Sequence, residues 1–130
     1  MKKPAVSFFK VNEIYKMDDG IICFKARQDD VYNRTDLVAI IELLADANEG
    51  KPFLLLMDIG RFDFLMTKHA RNLFNTYDRA IDLIISEAVA MDSKSMRIMY
   101  NLLSKLHSPK FPFKAFNKLS AARKWLNTHR

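Results

Sequence analysis

Few residues in this sequence have the types and the spacing that catalysis or metal binding requires. The carboxylate pairs Asp18-Asp19 and Asp29-Asp30 flank predicted turns, where solvated acidic side chains are common. The histidines show neither HExxH nor His-x-His spacing, and the glycines are too isolated for a phosphate-binding loop: His69, His107 and His129, and Gly20, Gly50 and Gly60. We therefore expect no catalytic group, no bound metal and no cofactor, and we expect that the protein is not an enzyme.

The length and composition fit one domain over residues 1–130. Of its 130 residues, 49% are hydrophobic and 28% are charged, which is enough apolar material to bury a core. No apolar run has the length of a membrane span or the form of a secretory signal. Cys23 is the only cysteine, and its place in an apolar strand pattern predicts a buried, unreactive thiol. These observations predict a cytoplasmic protein.

Hydrophobic periodicity predicts an α/β domain with the order β-β-α-β-α-β-α-β-α. The β-prone stretches 6–16 and 21–27 are joined by an Asp-Gly turn signal, which predicts a leading β-hairpin. Strands then alternate with about four helices, which implies a mixed, mostly parallel sheet. The predicted strands cover residues 52–58, 87–92 and 111–116. The predicted helices cover residues 35–48, a segment from Thr67 to about Ala80, 93–107 and 119–129, and the first of them carries an apolar stripe formed by Leu37, Val38, Ile40, Ile41 and Leu44.

Short polar side chains stand where each predicted strand gives way to a helix. Asn33 or Thr35 can cap the first helix, Thr67 the second, Asp92, Ser93 or Ser95 the third, and Asn117 the last. Asp58 closes the strand that precedes the second helix. Because the carboxyl ends of parallel strands meet at one edge of a sheet, these polar groups should lie along a common edge. Two interpretations are open: these side chains only cap helices, or the edge that they form also binds a ligand.

Methionine side chains gather near the same predicted edge. The five are Met57, Met66, Met91, Met96 and Met99. Unbranched, polarizable side chains of this kind either fill the core or line an adaptable apolar pocket, in which Phe62, Phe64 and Phe74 could take part. The third helix is expected to end at Ser108-Pro109 and to turn one apolar face to the sheet: Met96, Met99, Leu102, Leu103 and Leu106.

The net charge of +6 comes entirely from the end of the chain. Residues 1–92 carry a net charge of −3, whereas residues 93–130 contain nine basic and no acidic residues. These side chains either solvate the outer faces of two helices or form a surface for nucleic acid, an anionic membrane or an acidic partner. Aromatic stacking platforms are few there, which makes nucleic acid the weaker alternative. The basic set is Lys94, Arg97, Lys105, Lys110, Lys114, Lys118, Arg123 and Lys124.

The C-terminal half, AVAMDSKSMRIMYNLLSKLHSPKFPFKAFNKLSAARKWL, resembles SpoIIAA-like proteins of the STAS/SEC14 type. In those proteins a helix follows a strand of small residues, and a short strand ending in Phe leads to a final helix with an Ala-x-x-Trp-Leu-like pattern. Here that pattern is Ala121 or Ala122 followed by Trp125-Leu126. The hairpin, the first helix and the LLLMD strand extend the resemblance over about residues 10 to 127.

The resemblance also implies a regulatory site. Related anti-sigma-factor antagonists carry a strand ending in Asp or Asn and then a switch serine that opens a helix and is phosphorylated. Asp58 matches the strand end and Thr67 matches the serine, while Met66 and His69 replace the acidic residue and the glycine of that pattern. Thr67 is therefore either a plain helix cap or a phosphorylation switch, and a phosphate there would meet free helix amides.

Three functional hypotheses follow. The first is a non-enzymatic regulatory or binding module of STAS-like type that docks a protein partner or a small ligand at the carboxyl edge, through Asp58, Met66, Thr67, Asp92, Ser93 and Met96. The second is a carrier of a small apolar or lipid-like ligand, which requires a cavity. The third is a nucleic-acid-binding or peripheral membrane protein that uses the basic residues. Pairing of exposed edge strands could also give a homodimer.

Overall fold

The computed structural model describes residues 6–107 and 110–130. Its elements are β1 (Val6–Phe9), β2 (Asn12–Lys16), β3 (Ile22–Lys25), β4 (Asp30–Tyr32), α1 (Arg34–Ala47), β5 (Phe53–Gly60), β6 (Phe64–Met66), α2 (Lys68–Arg71), α3 (Leu73–Thr76), α4 (Asp78–Leu83), β7 (Ile84–Met91), α5 (Lys94–His107), β8 (Phe113–Phe116) and α6 (Leu119–Asn127). A mixed six-stranded sheet with the strand order β1-β2-β3-β5-β7-β8 forms the centre of the fold. Strands β1, β2 and β3 pair antiparallel, whereas β3, β5, β7 and β8 pair parallel. The predicted α/β class and mostly parallel sheet are therefore confirmed.

Helices pack on both faces of this sheet. Strand side chains alternate between the faces, so β5 sends Leu55, Met57 and Ile59 towards α1 and α5, and sends Leu54 and Leu56 towards α6. We call these the α1/α5 face and the α6 face. On the α6 face, the buried cluster also contains Ile21, Cys23, Ala88, Ala90, Ala122 and Leu126. The predicted buried thiol is thereby confirmed, and burial raises the pKa of Cys23 to about 11.

The first segment forms three strands rather than the two of the predicted hairpin. The Asp-Gly turn is present, with Gly20 at φ 86° and its amide donating to the Met17 carbonyl at 2.9 Å. The stretch 6–16, however, folds back on itself between β1 and β2, where Lys10 adopts a φ of 57°. A lysine gives no turn signal of the kind that glycine or asparagine gives, which explains the error.

A second, two-stranded sheet was not predicted. Strands β4 and β6 pair parallel, with Asp30 opposite Phe64 and Tyr32 opposite Met66. Each has three residues, too few for a recognisable period. A buried network joins this small sheet to β2, because the Nδ2 of Asn12 donates to the Tyr32 hydroxyl at 2.6 Å and that hydroxyl donates to Asp30 at 2.8 Å. The interpretation of Asp30 as a solvated turn residue was therefore wrong.

The predicted second helix is divided into three short ones. Thr67 caps α2 by accepting a hydrogen bond from the Ala70 amide at 3.2 Å, but the chain then breaks at Asn72 and again at Tyr77. Helix α4 ends at Leu83 and the next strand begins directly afterwards. The side chain of Phe74 lies outside the described residues.

Helix α5 turns to the sheet a face that overlaps only in part with the predicted one, because Met96 and Leu103 are half-buried as predicted and other predicted positions are exposed. Tyr100 is buried and Met96 is half-buried, whereas Met99 and Leu102 are 42% and 55% exposed. The orientation is fixed by hydrogen bonds, because the Asn101 side chain accepts from the Ala115 amide of the edge strand β8 at 2.9 Å. The side chain of Leu106 and the predicted helix stop at Ser108-Pro109 lie outside the described residues.

The helix caps agree with prediction in α1 and α5 and differ in α6. Asn33 and Asp36 form a reciprocal capping box at the start of α1, and the Ser93 hydroxyl accepts the Met96 amide at 3.2 Å at the start of α5. Lys118 occupies the cap position of α6, without a side-chain hydrogen bond. The prediction that Asn117 caps this helix was therefore wrong.

Candidate functional site

A cavity of about 100 Å³ lies between α1, α5 and the sheet. We call it the central cavity. Helix α1 supplies its wall through the apolar stripe that the sequence predicted, and the floor comes from inward-facing residues of β5 and β7. The walls and floor are formed by Leu37, Ile40, Ile41, Leu44, Leu55, Met57, Ile59 and Val89.

The roof and rim of the central cavity come from less buried segments. Phe64 and Met66 of the small sheet lie at one end, and Leu103 and Ser104 of α5 lie along one side. Arg71 also borders the cavity; it is solvent-exposed and its Nη1 donates at 3.5 Å to the Met66 carbonyl. A ligand would therefore have access from the side of α2 and α5.

Glu87 is the acidic residue that borders the central cavity. It lies in β7, flanked by Leu55 of β5 and Phe113 of β8, and is only 5% exposed. Its Oε1 atom has no hydrogen-bond partner among the described residues. Burial raises the pKa of this carboxyl from 4.5 to about 8, because an apolar environment disfavours the charged form. At neutral pH the unliganded protein therefore holds Glu87 mainly as the neutral acid.

Tyr100 of α5 also brings a polar group to the cavity. Its hydroxyl donates to the Phe64 carbonyl at 2.7 Å, which connects α5 to the small sheet. Burial, and then the neighbouring Glu87 carboxylate, raise the pKa of Tyr100 to about 12. The phenol is therefore a permanent hydrogen-bond donor in the physiological range.

The methionines that the sequence grouped together are divided by the structure. Met57 and Met66 border the central cavity, Met91 is buried in the core and Met96 packs against it, whereas Met99 faces solvent. Of the three aromatic residues considered with them, Phe64 lines the cavity and Phe62 packs against the core. The apolar pocket therefore has fewer methionines and more branched aliphatic side chains than expected.

Asp58 and Asp92 lie at the same carboxyl edge of the sheet. In the register between β5 and β7, Asp58 pairs with Ala90, and the Asp92 amide donates to the Gly60 carbonyl at 2.9 Å. Burial raises the pKa of Asp58; Lys25 opposes this rise and the carboxylate of Asp92 adds to it. By strand alternation Asp58 points to the α6 face, so it lies across the sheet from the central cavity.

The two predicted hydroxyl positions, Thr67 and Ser93, both act as helix caps. Each accepts one backbone amide at 3.2 Å, as described above. Thr67 is solvent-exposed and follows Met66, so it stands just beyond the rim of the central cavity. Its phosphorylation stays a prediction.

The basic residues are spread over several elements. Arg97 donates to the carbonyls of Met91 and Asp92 at 2.8 and 2.9 Å, and Arg123 forms an ion pair with Asp19 at 2.9 Å. These two arginines therefore stabilise the fold. The lysines of the set are exposed and lie on α5, on α6, and in or next to β8, which places them on both faces and one edge of the sheet: Lys94, Lys105, Lys110, Lys114, Lys118 and Lys124.

Sequence reasoning missed Glu87, Tyr100 and Arg71. A usable signal existed for Glu87, because a carboxylate inside a continuous apolar strand has no solvated side to face. Tyr100 and Arg71 gave no such signal, since both depend on the orientation of helices that periodicity did not place correctly.

Within residues 6–107 and 110–130, no three His, Cys, Asp or Glu side chains form a group that could hold a metal ion. Over the same ranges, the helices are too short or too polar to cross a bilayer.

Comparison with known proteins gives a family and a fold. The family model described as "Domain of unknown function (DUF7793)" matches residues 15–130, and the chain belongs to this family. Among solved structures, the chain is similar to an uncharacterized protein of the DUF3478 family with a SpoIIAA-like fold from Shewanella loihica PV-4, with 18% identity, a TM-score of 0.61 and 97% of each chain covered. No curated protein matches the chain. The resemblance to SpoIIAA-like proteins is thereby confirmed at the level of the fold.

Proposed function

We propose that this DUF7793-family protein is a non-enzymatic binding module that holds a small apolar ligand in the central cavity. The observation that carries the proposal is the cavity itself, about 100 Å³ in volume and walled mainly by leucine, isoleucine, methionine and phenylalanine side chains. An apolar cavity of about 150 Å³ in another protein binds benzene or xenon. The central cavity is somewhat smaller and suits a ligand, or a part of one, of about five non-hydrogen atoms.

Unfilled space beside an apolar core is costly. For a fully enclosed cavity, at about 24 cal/mol per Å³, a volume of 100 Å³ lowers stability by about 2 kcal/mol relative to a filled core, and this is the upper limit for the central cavity because its rim is open. A loss of this size is a sizeable part of the roughly 5–15 kcal/mol by which an ordinary domain is stable. A ligand that fills the space recovers dispersion contacts with the walls and thereby binds and stabilises the fold.

Xenon and n-pentane test the proposal without assuming any polar contact. The cavity-blocking variant is Leu103→Trp, and the matched control is Leu102→Trp, because Leu103 borders the cavity and its neighbour Leu102 faces solvent. We expect xenon to shift the NMR signals of Leu55 and Val89 in the wild type and in the control, and not in Leu103→Trp. The thermal midpoint should rise with n-pentane in the same two proteins. If neither probe perturbs the wild type, the proposal is wrong.

A second candidate function is docking of a protein partner at the carboxyl edge. Val31 and Leu65 lie opposite each other on the small sheet and are 61% and 44% exposed, which adds an apolar pair to the polar edge that includes Asp58 and Asp92. The test is capture of partners from native lysate by the wild type, Leu65→Lys and the control Leu119→Lys, whose exposed leucine lies on α6. A partner lost by both variants or by neither would contradict docking at this edge.

A further inference from the structure

Glu87 is a buried carboxyl among apolar neighbours, and one of its oxygen atoms has no hydrogen-bond partner among the described residues. This arrangement indicates which chemical group a ligand of the cavity would need. The strand neighbours Leu55 and Phe113 are apolar, and the next residue of β7 on the same face is Val89. A buried polar atom is normally hydrogen-bonded, and leaving one without a partner destabilises the fold. Oε1 of Glu87 is such an atom among the described residues. Since it borders the central cavity, a ligand there is well placed to supply the missing donor.

The protein itself offers little to this carboxyl. From α5, Tyr100 and Ser104 border the cavity, but their hydroxyls already donate to the carbonyls of Phe64 at 2.7 Å and of Asn101 at 2.8 Å. From α2, the exposed guanidinium of Arg71 borders the cavity and donates to the Met66 carbonyl. From α1, β5 and β8, the lining side chains are apolar. Within the described residues, Glu87 therefore forms no salt bridge.

We propose that the ligand of the central cavity is a small aliphatic amine, whose ammonium group donates to Glu87 while its hydrocarbon part fills the apolar space. This inference rests on the proposed function. An ammonium group fits because it brings both donors and the charge that an ionised carboxylate needs in an apolar environment. An alcohol supplies a donor without the charge, an alkane supplies neither, and an anion is repelled once Glu87 ionises.

Binding of such an amine changes the protonation state of Glu87, and no covalent bond other than that to the released proton forms or breaks. Near pH 7 the free amine is an ammonium ion and the free carboxyl is largely neutral, so formation of the ion pair releases the carboxyl proton to solvent. The affinity therefore rises with pH up to about 8, where Glu87 ionises unaided. It falls again above about pH 10, where an aliphatic amine loses its own proton. Arg71 at the rim opposes the ammonium charge, and Tyr100 stays neutral throughout this range.

Calorimetry with four probes of similar size tests the proposal: n-butylamine, 1-butanol, n-pentane and butyrate. We expect n-butylamine to bind the wild type at least tenfold more tightly than 1-butanol at pH 8. Near pH 7 the apparent enthalpy of n-butylamine binding should vary with the ionisation enthalpy of the buffer, because binding releases a proton that the buffer takes up. If n-butylamine binds no more tightly than 1-butanol or n-pentane, Glu87 is merely hydrated and the proposal is wrong. Tighter binding of butyrate would also overturn it and would assign the polar contact to Arg71.

Substitutions distinguish the contribution of the Glu87 carboxyl to ligand binding from the contribution of the apolar cavity. Glu87→Gln should weaken n-butylamine at least tenfold more than it weakens n-pentane, whereas the exposed Glu49→Gln should leave the binding of both probes unchanged. Arg71→Met should tighten n-butylamine, and no change or weaker binding would contradict the charge argument. If Glu87→Gln does not fold, the infrared band of the protonated carboxyl in the wild type gives the answer, because bound n-butylamine should abolish it. Xenon binding without amine selectivity would retain the cavity function and reject the amine.

Discussion

The hydroxyl of Tyr100 in α5 donates a 2.7 Å hydrogen bond to the backbone carbonyl of Phe64 in β6. Both residues border the central cavity, so this bond joins the helix over the cavity to the small sheet at its end. The donor is buried together with its partner, which makes the bond stronger than one at the surface and its loss more costly.

Tyr100→Phe should lower the free energy of unfolding by about 1–3 kcal/mol, because the Phe64 carbonyl then stays buried without its donor. The ring still packs, so the fold should be retained. Chemical denaturation measures the loss, and hydrogen exchange of the amides of β6 and α5 should accelerate most. An unchanged unfolding midpoint would mean that the bond contributes nothing to stability.

Glu87→Gln should change how stability depends on pH. The folded protein keeps the Glu87 proton up to about pH 8, whereas the unfolded chain loses it near the ordinary value of 4.5, so the folded state binds more protons between these values. Stability therefore falls as pH rises through this window, with a slope of up to about 1.4 kcal/mol per pH unit from this one group. Denaturation at pH 5, 6, 7 and 8 should show that the wild type loses stability relative to Glu87→Gln. Parallel curves would contradict the raised pKa.

Asn12→Ala should destabilise the protein by about 2 kcal/mol. The Asn12 side chain is fully buried; it donates to the Tyr32 hydroxyl at 2.6 Å and accepts the Arg27 amide at 2.8 Å, and both groups would lose a partner. The control is Asn72→Ala, because this exposed asparagine makes no side-chain cap bond and should change stability by less than about 0.5 kcal/mol. Thermal and chemical denaturation compare the two, and equal effects would refute the role given to the network.

Ser93→Ala and Asn117→Ala should differ although both precede a helix. Ser93 caps α5 through the Met96 amide, so its removal should cost about 1 kcal/mol. Asn117 is exposed and does not occupy the cap position of α6, so its removal should cost less than about 0.5 kcal/mol. Urea titration of the two variants is sufficient. A larger loss in Asn117→Ala would restore the cap that the sequence suggested.

The layers of the fold were predictable because long buried strands and a strongly periodic helix carry clear patterns. The continuous apolar runs in β5 and β7 and the stripe of α1 were identified correctly for that reason. Elements of three or four residues, such as β4 and α3, contain no full period, and their positions depend on tertiary contacts like the network of Asn12. They could not have been read from local sequence.

The candidate site was less predictable than the fold. The stripe that lines the cavity on α1 was visible, but the space between it and the sheet depends on how Leu37 and Leu44 pack against residues far away in the chain. Helix α5 shows the limit clearly. Methionine and leucine spacing identified Met96 and Leu103 as inward but also placed the exposed Met99 and Leu102 there. The same spacing gave no sign of the hydrogen bonds that Tyr100 and Asn101 form with the rest of the fold. Polar contacts of this kind leave no periodic trace.

Helix α6 is the last element of this fold to be synthesised, yet it covers some of the earliest residues. Leu126 lies in the same buried cluster as Ile21, and the ion pair between Arg123 and Asp19 joins positions 104 residues apart. Until α6 emerges, the strands made before it expose a broad apolar surface, which is a state prone to aggregation and to capture by chaperones. On the ribosome, the strands on this face therefore stay uncovered until α6 has been made.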